Sequence, residues 1–157
     1  MGRGRGFTLI ELVTVLIIVG ILSFFVISRL DFVSTFDQRS YHDKLKAGLQ
    51  FARRTAVAER RYVCVAVATG VVSFKFDPNV PESVGTPNCS NALSLPTPDR
   101  NCAGPNQICL PSGVSLTAPA SGTNFTFDAR GASSAAAAFS STGQPNIIVE
   151  NETGYVH

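Results

Sequence analysis

Glu11 is the lone carboxylate in a near-continuous apolar run that extends from Phe7 to about Leu30. A carboxylate inside hydrocarbon costs on the order of a few kcal/mol unless it finds a partner, so an ionisable residue in such a run predicts a functional role. The chemistry open to Glu11 is charge pairing. A cation within reach would turn an expensive residue into half of an ion pair.

Other groups that could do chemistry are sparse. His42 and His157 are the only histidines, and neither has a cysteine or carboxylate beside it at metal-ligand spacing. The serines and threonines lack a Gly-x-Ser-x-Gly motif or a buried acid pair. We therefore expect no metal, no cofactor and no enzymatic activity. The net charge of +2 is too small to predict a nucleic-acid partner by bulk electrostatics.

The four cysteines, Cys64, Cys89, Cys102 and Cys109, lie in loop-rich sequence and contain no C-x-x-C pair. An even number behind an apolar segment predicts two disulfides formed in an oxidising compartment. Three connectivities are open. We favour Cys89 with Cys102, a local loop whose closure is worth about 3 kcal/mol, which leaves Cys64 with Cys109.

The N-terminal third divides at residues 6, 30 and 61. Residues 1–6 carry Arg3 and Arg5, and basic residues before an apolar segment are retained on the cytoplasmic side. Residues 7–30 are long enough for a transmembrane helix, because about 20 apolar residues cross a bilayer. No small-residue cleavage site follows the apolar run, so we expect the anchor to be kept.

Residues 31–61 continue the helical pattern, and we expect one helix from near Phe7 to near Arg61. Apolar or small residues recur at steps of three and four, and basic residues recur every seven on the other side. The apolar series is Tyr41, Leu45, Gly48, Leu49, Ala52 and Ala56, and the basic series is Arg39, Lys46, Arg53 and Arg60, widened by Arg54 and Arg61. We favour a solvated or subunit-facing role for the basic series. The alternative is contact with DNA phosphates, which burial in a filament would oppose.

Residues 62–157 read as a β-rich domain. Two β-type runs flank Thr69-Gly70, which predicts a hairpin of residues 62–68 and 71–76. The stretch from residue 77 to 111 holds seven of the nine prolines and three cysteines, and we expect no regular strand pairing there. Further short strands are predicted at 113–116, 124–128, 135–139, 146–150 and 155–156, the last two forming a hairpin around residues 151–154.

The run Gly6-Phe7-Thr8-Leu9-Ile10-Glu11-Leu12, placed after a short basic leader, resembles the class III signal of type IV pilins and type II secretion pseudopilins. The resemblance implies that a membrane prepilin peptidase cuts between Gly6 and Phe7 and that Phe7 is then N-methylated. Cleavage creates a positive amine one helical turn from Glu11, at the positive end of the helix dipole. That amine, or the one on Phe7 of a neighbouring subunit, is the expected partner for Glu11 in assembly.

Outside the motif the resemblance is patchier. Residues Gln50 to Arg61, leading directly into a strand, are similar to the FimT/GspH-like minor pilins and pseudopilins, and the ending Glu152 to His157 is similar to minor pilins of the mannose-sensitive haemagglutinin type. The resemblance implies an α+β fold, with a long N-terminal helix packed on a small antiparallel sheet that carries disulfide-stapled loops.

These features predict a structural minor pilin of a type IV pilus, with an initiating, tip or adhesive role. The alternatives are a minor pseudopilin of a type II secretion system and a DNA-binding minor pilin for DNA uptake. The expected partners are the prepilin peptidase and methyltransferase, other pilin or pseudopilin subunits, and the inner membrane. The N-terminus should start in the cytoplasm and the C-terminal domain in the periplasm, before the protein enters a pilus or pseudopilus.

Overall fold

A computed structural model of the chain describes residues 7–27, 31–79 and 86–157. The expected leader, residues 1–6, lies outside the described residues, as do residues 28–30 and 80–85. The chain divides into two compact units, Met1–Ser34 and Thr35–His157. Each unit is described by itself.

The described part of the first unit is dominated by helix α1, Leu9–Ile27, followed by the first residues of α2. Two of its hydroxyl groups bond to the helix itself: the Thr14 hydroxyl donates to the carbonyl of Glu11 at 2.9 Å, and the Ser23 hydroxyl donates to that of Val19 at 2.7 Å. From residue 9 to residue 23 its apolar side chains are exposed around the circumference, Leu9 by 81%. Within the described residues no helix combines the length and the apolarity that crossing a membrane requires.

Helix α2, Asp31–Glu59, supplies the second unit with its packing face. The predicted apolar series is confirmed, because all its members are buried, as shown by Tyr41, Leu45 and Leu49 at 2% exposure or less. Gly48 allows a close approach to the sheet, since a Cβ there would lie 2.8 Å from Ile108 and 3.3 Å from Phe74. The expected single helix is present as two described helices, and residues 28–30 between them are not described.

Eight strands follow the helices. They are β1 Val63–Ala68, β2 Val71–Phe76, β3 Asn91–Ala92, β4 Gln107–Cys109, β5 Leu116–Ala118, β6 Asn124–Phe127, β7 Ala137–Ser141 and β8 Ile147–Val149. The predicted β1–β2 hairpin is confirmed, with Ala68 opposite Val71 and with Gly70 at a φ of 76°, which favours glycine in the turn. β6 pairs antiparallel with the other edge of β1.

The proline-rich stretch, residues 77–111, forms two short strands, so the expectation of no regular strand pairing there was wrong. β3 and β4 both pair antiparallel with the free edge of β2. Buried Asn106 strengthens this contact: its backbone carbonyl accepts from Phe74 N–H at 2.9 Å, and its side-chain amide donates to the Phe74 carbonyl at 3.0 Å. An open strand edge offers unpaired donors and acceptors, and these hold short segments that have no strand propensity of their own.

The second sheet has the order β5-β7-β8. The predicted strand at 113–116 starts only at Leu116, because Gly113 occupies a turn with a φ of 81°. The strand predicted at 135–139 runs two residues later, as Ala137–Ser141. The predicted C-terminal hairpin is confirmed: Ile148 and His157 exchange backbone hydrogen bonds of 2.9 and 3.1 Å, and residues 151–154 turn between them.

The core lies between α2 and the two sheets. Its largest members include Phe74, Phe125, Phe127 and Phe139, each 2% exposed or less, and Phe125 meets Phe127 edge to face at 5.5 Å. Alternate residues of β1 are buried, as expected for a strand with one face on a core. The α+β architecture predicted from the sequence, with a helix packed on antiparallel sheets and two disulfides, is confirmed.

Candidate functional site

The first turn of α1 is built around Thr8, which caps the helix. The Thr8 carbonyl accepts hydrogen bonds from the N–H groups of Glu11 at 3.1 Å and Leu12 at 3.2 Å, and its hydroxyl lies 3.4 Å from the same Glu11 nitrogen. Thr8 and Glu11 have the spacing of a capping box, in which a hydroxyl three residues ahead of a carboxylate satisfies free N–H groups. Phe7 precedes the helix and is 73% exposed.

Phe7 lies two residues before the start of α1, and Glu11 lies in the first turn of that helix. Glu11 is an exposed acidic residue in that turn, where the positive end of the helix dipole favours a carboxylate. Gly6, the other side of the expected cleavage site, lies outside the described residues. Cleavage, N-methylation and the charge pair of Glu11 with a Phe7 amine therefore stay predictions, and the described geometry suits them.

All four cysteines are in disulfides, as predicted, but the favoured pairing was wrong. Cys64 pairs with Cys89 at a Cα–Cα distance of 6.0 Å, and Cys102 pairs with Cys109 at 5.6 Å. The pairing of Cys89 with Cys102 and of Cys64 with Cys109 is thereby replaced.

The strand register explains this pairing. Cys64 lies opposite Lys75 on one edge of β2, and Cys109 lies opposite Val71 on the other edge. Lys75 and Val71 are separated by about 13 Å along the strand, whereas disulfide Cα atoms are usually about 4.4–6.8 Å apart. Cys89 lies at the same end of β2 as Cys64. β3 begins at Asn91, two residues after Cys89, and pairs with Lys75 and Phe76 at the end of β2.

The basic series of α2 does not form one uniform strip. Arg39 is exposed and Lys46 is half-buried. Arg53 packs within the domain, because its Nε donates to the Gly131 carbonyl at 3.2 Å and to the Thr153 carbonyl at 3.1 Å. Arg60 follows the helix with a φ of 50°. DNA contact by these four residues remains an untested prediction, and Arg53 already has a structural role.

Asp99 is an organising residue that the sequence reasoning missed. It is 6% exposed, and its carboxylate accepts from Lys44 Nζ at 3.4 Å, Asn101 N–H at 3.3 Å and Cys109 N–H at 3.3 Å. It thus ties the Cys102–Cys109 loop to α2. The only sequence signal was an Asp placed three residues before a cysteine.

Tyr41 lies near this carboxylate. Its hydroxyl is the one buried side-chain polar atom, among the described residues, that has no hydrogen-bond partner. Burial, with a smaller effect from the charge of Asp99, raises the pKa of Tyr41 to about 12. The phenol therefore stays neutral, and its ring serves the core.

Two further carboxylates hold turns. Backbone N–H groups of Asn79 and Asn88 donate to Asp77 and lower its pKa, outweighing burial. Burial alone would raise the pKa of Asp128, but N–H groups of Ala132 and Arg130 lower it below its usual value. Both residues are turn organisers of the kind that Asp provides.

The two histidines have different neighbours. His42 is buried, with Nδ1 3.3 Å from the neighbouring carboxylate of Asp43. His157 stacks on Tyr155 at 5.4 Å, with Nε2 3.6 Å from Glu150. Over the part of the chain that the structure describes, no group of three or more His, Cys, Asp or Glu side chains could hold a metal ion.

A capped N-terminal apolar helix is followed by an amphipathic helix that packs on antiparallel sheets with two disulfides, and the solved structures of a minor pilin and a minor pseudopilin share this fold. The sequence profile described as the prokaryotic N-terminal methylation motif matches residues 1–27. The motif and the fold thus occur in one chain, and the resemblance seen in the sequence is confirmed.

Two solved structures share the fold. The type IV minor pilin FimU of Pseudomonas aeruginosa PAO1 has 15% sequence identity and a TM-score of 0.53, over 80% of this chain and 90% of that chain. The minor pseudopilin EpsH of the Vibrio cholerae type II secretion system has 13% identity and a TM-score of 0.53, over 80% of this chain and 94% of that chain. No curated protein matches the chain in sequence.

Proposed function

We propose that the chain is a structural minor pilin of a type IV pilus, cut after Gly6 and N-methylated on Phe7. The observation that carries this proposal is the methylation motif matched over residues 1–27, which includes the capped first turn of α1. A minor subunit contributes to the filament by position and contacts, so its helix assembles and its β-rich domain forms the exposed surface. The fold shared with the minor pilin FimU supports a minor subunit, and the fold shared with the minor pseudopilin EpsH does so equally.

The proposed assembly mechanism depends on an ion pair between Glu11 and the Phe7 amine in the apolar interior of the membrane. The N-terminus lies in the cytoplasm until cleavage, residues 7–30 anchor the chain in the inner membrane, and the β-rich domain lies in the periplasm. The new Phe7 amine pairs with Glu11, in the same chain or in the neighbour. Because an unpaired carboxylate is costly in hydrocarbon, a pair between neighbouring subunits favours their correct axial register.

Processing is tested by intact mass of the protein from the native membrane. The expected mass lacks residues 1–6 and includes one added methyl group on the N-terminal Phe7. A protein that retains the leader would contradict the proposal.

Glu11→Ala should leave cleavage intact and abolish entry into filaments, since the scissile bond is unchanged and the charge partner is lost. Sheared filaments are assayed for the subunit, with Thr14→Ala as a control that removes a polar side chain already bonded to its own helix. Normal incorporation of the Glu11 variant would count against the charge pair.

A second candidate is a minor pseudopilin of a type II secretion system, favoured by the likeness to EpsH at the same TM-score as FimU. The two candidates differ in the phenotype of a deletion strain. Loss of surface fibres with secretion of exoproteins intact supports the pilus subunit. Loss of secretion with fibres intact supports the pseudopilin.

A further inference from the structure

A small cleft of about 90 Å³ lies between α2 and the C-terminal hairpin of the second unit. The helix contributes Gln50, Arg53 and Arg54 to its walls, and the hairpin contributes Tyr155 and Val156. The Gln50 side-chain amide donates to the Val156 carbonyl at 3.3 Å, so a direct hydrogen bond joins the two walls. The folded domain therefore holds the cleft in a defined shape.

The charge in this cleft is positive. Arg53 and Arg54 are both cationic, and none of the residues that line the cleft carries a negative charge. The other polar side chains of the lining are the amide of Gln50 and the phenol of Tyr155, and both groups can donate hydrogen bonds. Two neighbouring cations repel each other, and an anion placed between them relieves that repulsion. The cleft thus favours an anionic ligand.

Arg53 is held in position before any ligand binds. Its Nε donates to the Gly131 carbonyl at 3.2 Å and to the Thr153 carbonyl at 3.1 Å. Four of the five N–H donors of a guanidinium are on the terminal nitrogens, so a ligand that bonds to these nitrogens does not compete with the bonds of Nε. A side chain that is already immobilised loses little conformational entropy on binding.

Arg54 and Tyr155 give access to the cleft from solvent. Arg54 is exposed, and it makes no hydrogen bond or ion pair within the part of the chain that the structure describes. Tyr155 is 55% exposed, and its ring stacks on that of His157 at 5.4 Å. The cleft therefore has one fixed cation, one cation without a partner, and an aromatic wall that is supported from behind.

A wider cleft of about 580 Å³ on the other side of Arg53 lacks this charge balance. It is lined by Arg130 and Glu152 among others, and the Arg130 guanidinium already pairs with Asp128 at 3.1 Å. The carboxylates of Glu152 and Asp128 offset the two arginines there. The excess of positive charge thus belongs to the small cleft.

We propose that this cleft binds a side-chain carboxylate, from an Asp or Glu of a neighbouring subunit in the filament. The proposal rests on the proposed function as a filament subunit. Arginine suits a carboxylate because its planar fork forms two parallel charge-assisted hydrogen bonds. A nucleic-acid phosphate fits less well, since each phosphodiester has a sugar on both sides and requires an open groove, whereas about 90 Å³ admits one small group. The bound carboxylate adds a subunit contact outside the membrane helix to the proposed pairing of Glu11.

Carbodiimide cross-linking of sheared filaments tests the contact directly. The reagent joins an amine to a carboxylate that touches it, whereas a guanidinium does not react. Arg54→Lys keeps the charge and introduces an amine into the cleft. We expect an amide between position 54 and an Asp or Glu of another pilin subunit, identified by mass spectrometry of the linked peptides. Arg39→Lys, at an exposed arginine of the same helix outside the cleft, is the matched control and should not link to that carboxylate.

Charge reversal tests whether the contact matters for assembly. Arg54→Glu should lower the amount of subunit in sheared filaments about fivefold relative to its amount in the membrane, because two like charges then meet. Arg39→Glu should leave this ratio unchanged. The urea midpoint of Arg54→Glu should equal that of the unaltered protein, since Arg54 is exposed and has no bonded partner among the described residues. Normal incorporation of Arg54→Glu would overturn the contact.

The outcomes separate this contact from the proposed function. Absence of the unaltered subunit from sheared filaments overturns both. A subunit that is present in filaments, but whose position 54 in Arg54→Lys forms no link or links only to an acid of its own chain such as Glu152, overturns the contact alone. Binding of duplex DNA by the full-length protein that is lost in Arg54→Glu identifies a phosphate as the ligand and likewise overturns the carboxylate contact.

Discussion

Buried polar side chains of this protein differ in how many hydrogen-bond partners they have. Asp99 and Asp77 are buried with several N–H or ammonium donors, whereas the Tyr41 hydroxyl is buried with none. A buried polar group without a partner loses its bonds to water and gains nothing in return. These residues therefore allow predictions of opposite sign.

Tyr41→Phe should raise the free energy of unfolding by about 1 kcal/mol, since it removes an unpartnered buried hydroxyl and keeps the ring. The variant should also lack the part of the pH dependence of stability that comes from ionisation of the Tyr41 hydroxyl. A pKa raised from 10.0 to about 12 means that stability present below pH 10 is lost as the pH rises toward 12.

Urea unfolding between pH 7 and pH 12 measures both effects. Tyr155→Phe, at an exposed tyrosine, is the control and should change neither. A loss of stability in the Tyr41 variant would show that the hydroxyl has a bonded partner in solution.

Asp77→Asn should lower the free energy of unfolding at pH 7 by about 1–2 kcal/mol, because the turn loses charge-assisted hydrogen bonds. The folded pKa of Asp77 is lowered, so its stabilisation is present above the unfolded pKa near 3.9 and is lost as the pH falls through the folded pKa. The difference between the two proteins should therefore shrink below about pH 4.

Urea midpoints from pH 2 to pH 7 give this difference, with Glu152→Gln as an exposed control. A difference that stays constant over that range would exclude the charge of Asp77 as its cause.

At the C-terminus of α2, a residue other than glycine adopts an unfavourable backbone conformation. The Arg61 N–H donates to the Ala56 carbonyl at 3.0 Å, and the Arg60 N–H to that of Val57 at 3.4 Å, which is the bonding of a Schellman motif. Arg60 has the left-handed φ of 50° that this motif requires. Glycine is the usual residue at such a position.

Arg60→Gly should therefore be more stable than Arg60→Ala by about 1 kcal/mol, measured by thermal or urea unfolding. Both variants lack the arginine side chain, so the difference in their stabilities measures the cost of the left-handed backbone conformation for a residue that has a Cβ. Equal stability of the two would mean that residue 60 leaves the left-handed region in solution.

At the scale of the whole molecule, the two disulfides constrain different parts of the proline-rich stretch, residues 77–111. Cys64–Cys89 spans a sequence separation of 25 and attaches residue 89 to β1. Cys102–Cys109 spans a separation of 7, and the Cys109 N–H in that loop donates to Asp99. In the chain-entropy treatment these loops are worth about 3.5 and about 2 kcal/mol.

Replacing Cys64 and Cys89 by Ser should accordingly cost more stability than replacing Cys102 and Cys109, as judged by urea midpoints of the oxidised proteins. Peptide mapping without reduction should first yield the two cross-linked peptides expected from the observed pairs. Recovery of a Cys64–Cys109 peptide would contradict the strand register.

The sequence by itself determined the features that depend on local pattern. The apolar face of α2 follows from helical periodicity, the hairpin around Gly70 from alternation and a turn glycine, and the methylation motif from adjacent residues. Local sequence suffices there because neighbouring residues make the interactions.

Only the tertiary structure decided the features that depend on distant partners. The pairing of the cysteines follows from which edge of β2 each strand occupies, and the strands of the proline-rich stretch exist because that edge was open. Asp99 and Arg53 gained their roles from carbonyl, amide and ammonium groups that are remote in the sequence. Strand order and register set these distances, and no local pattern in the chain encodes them.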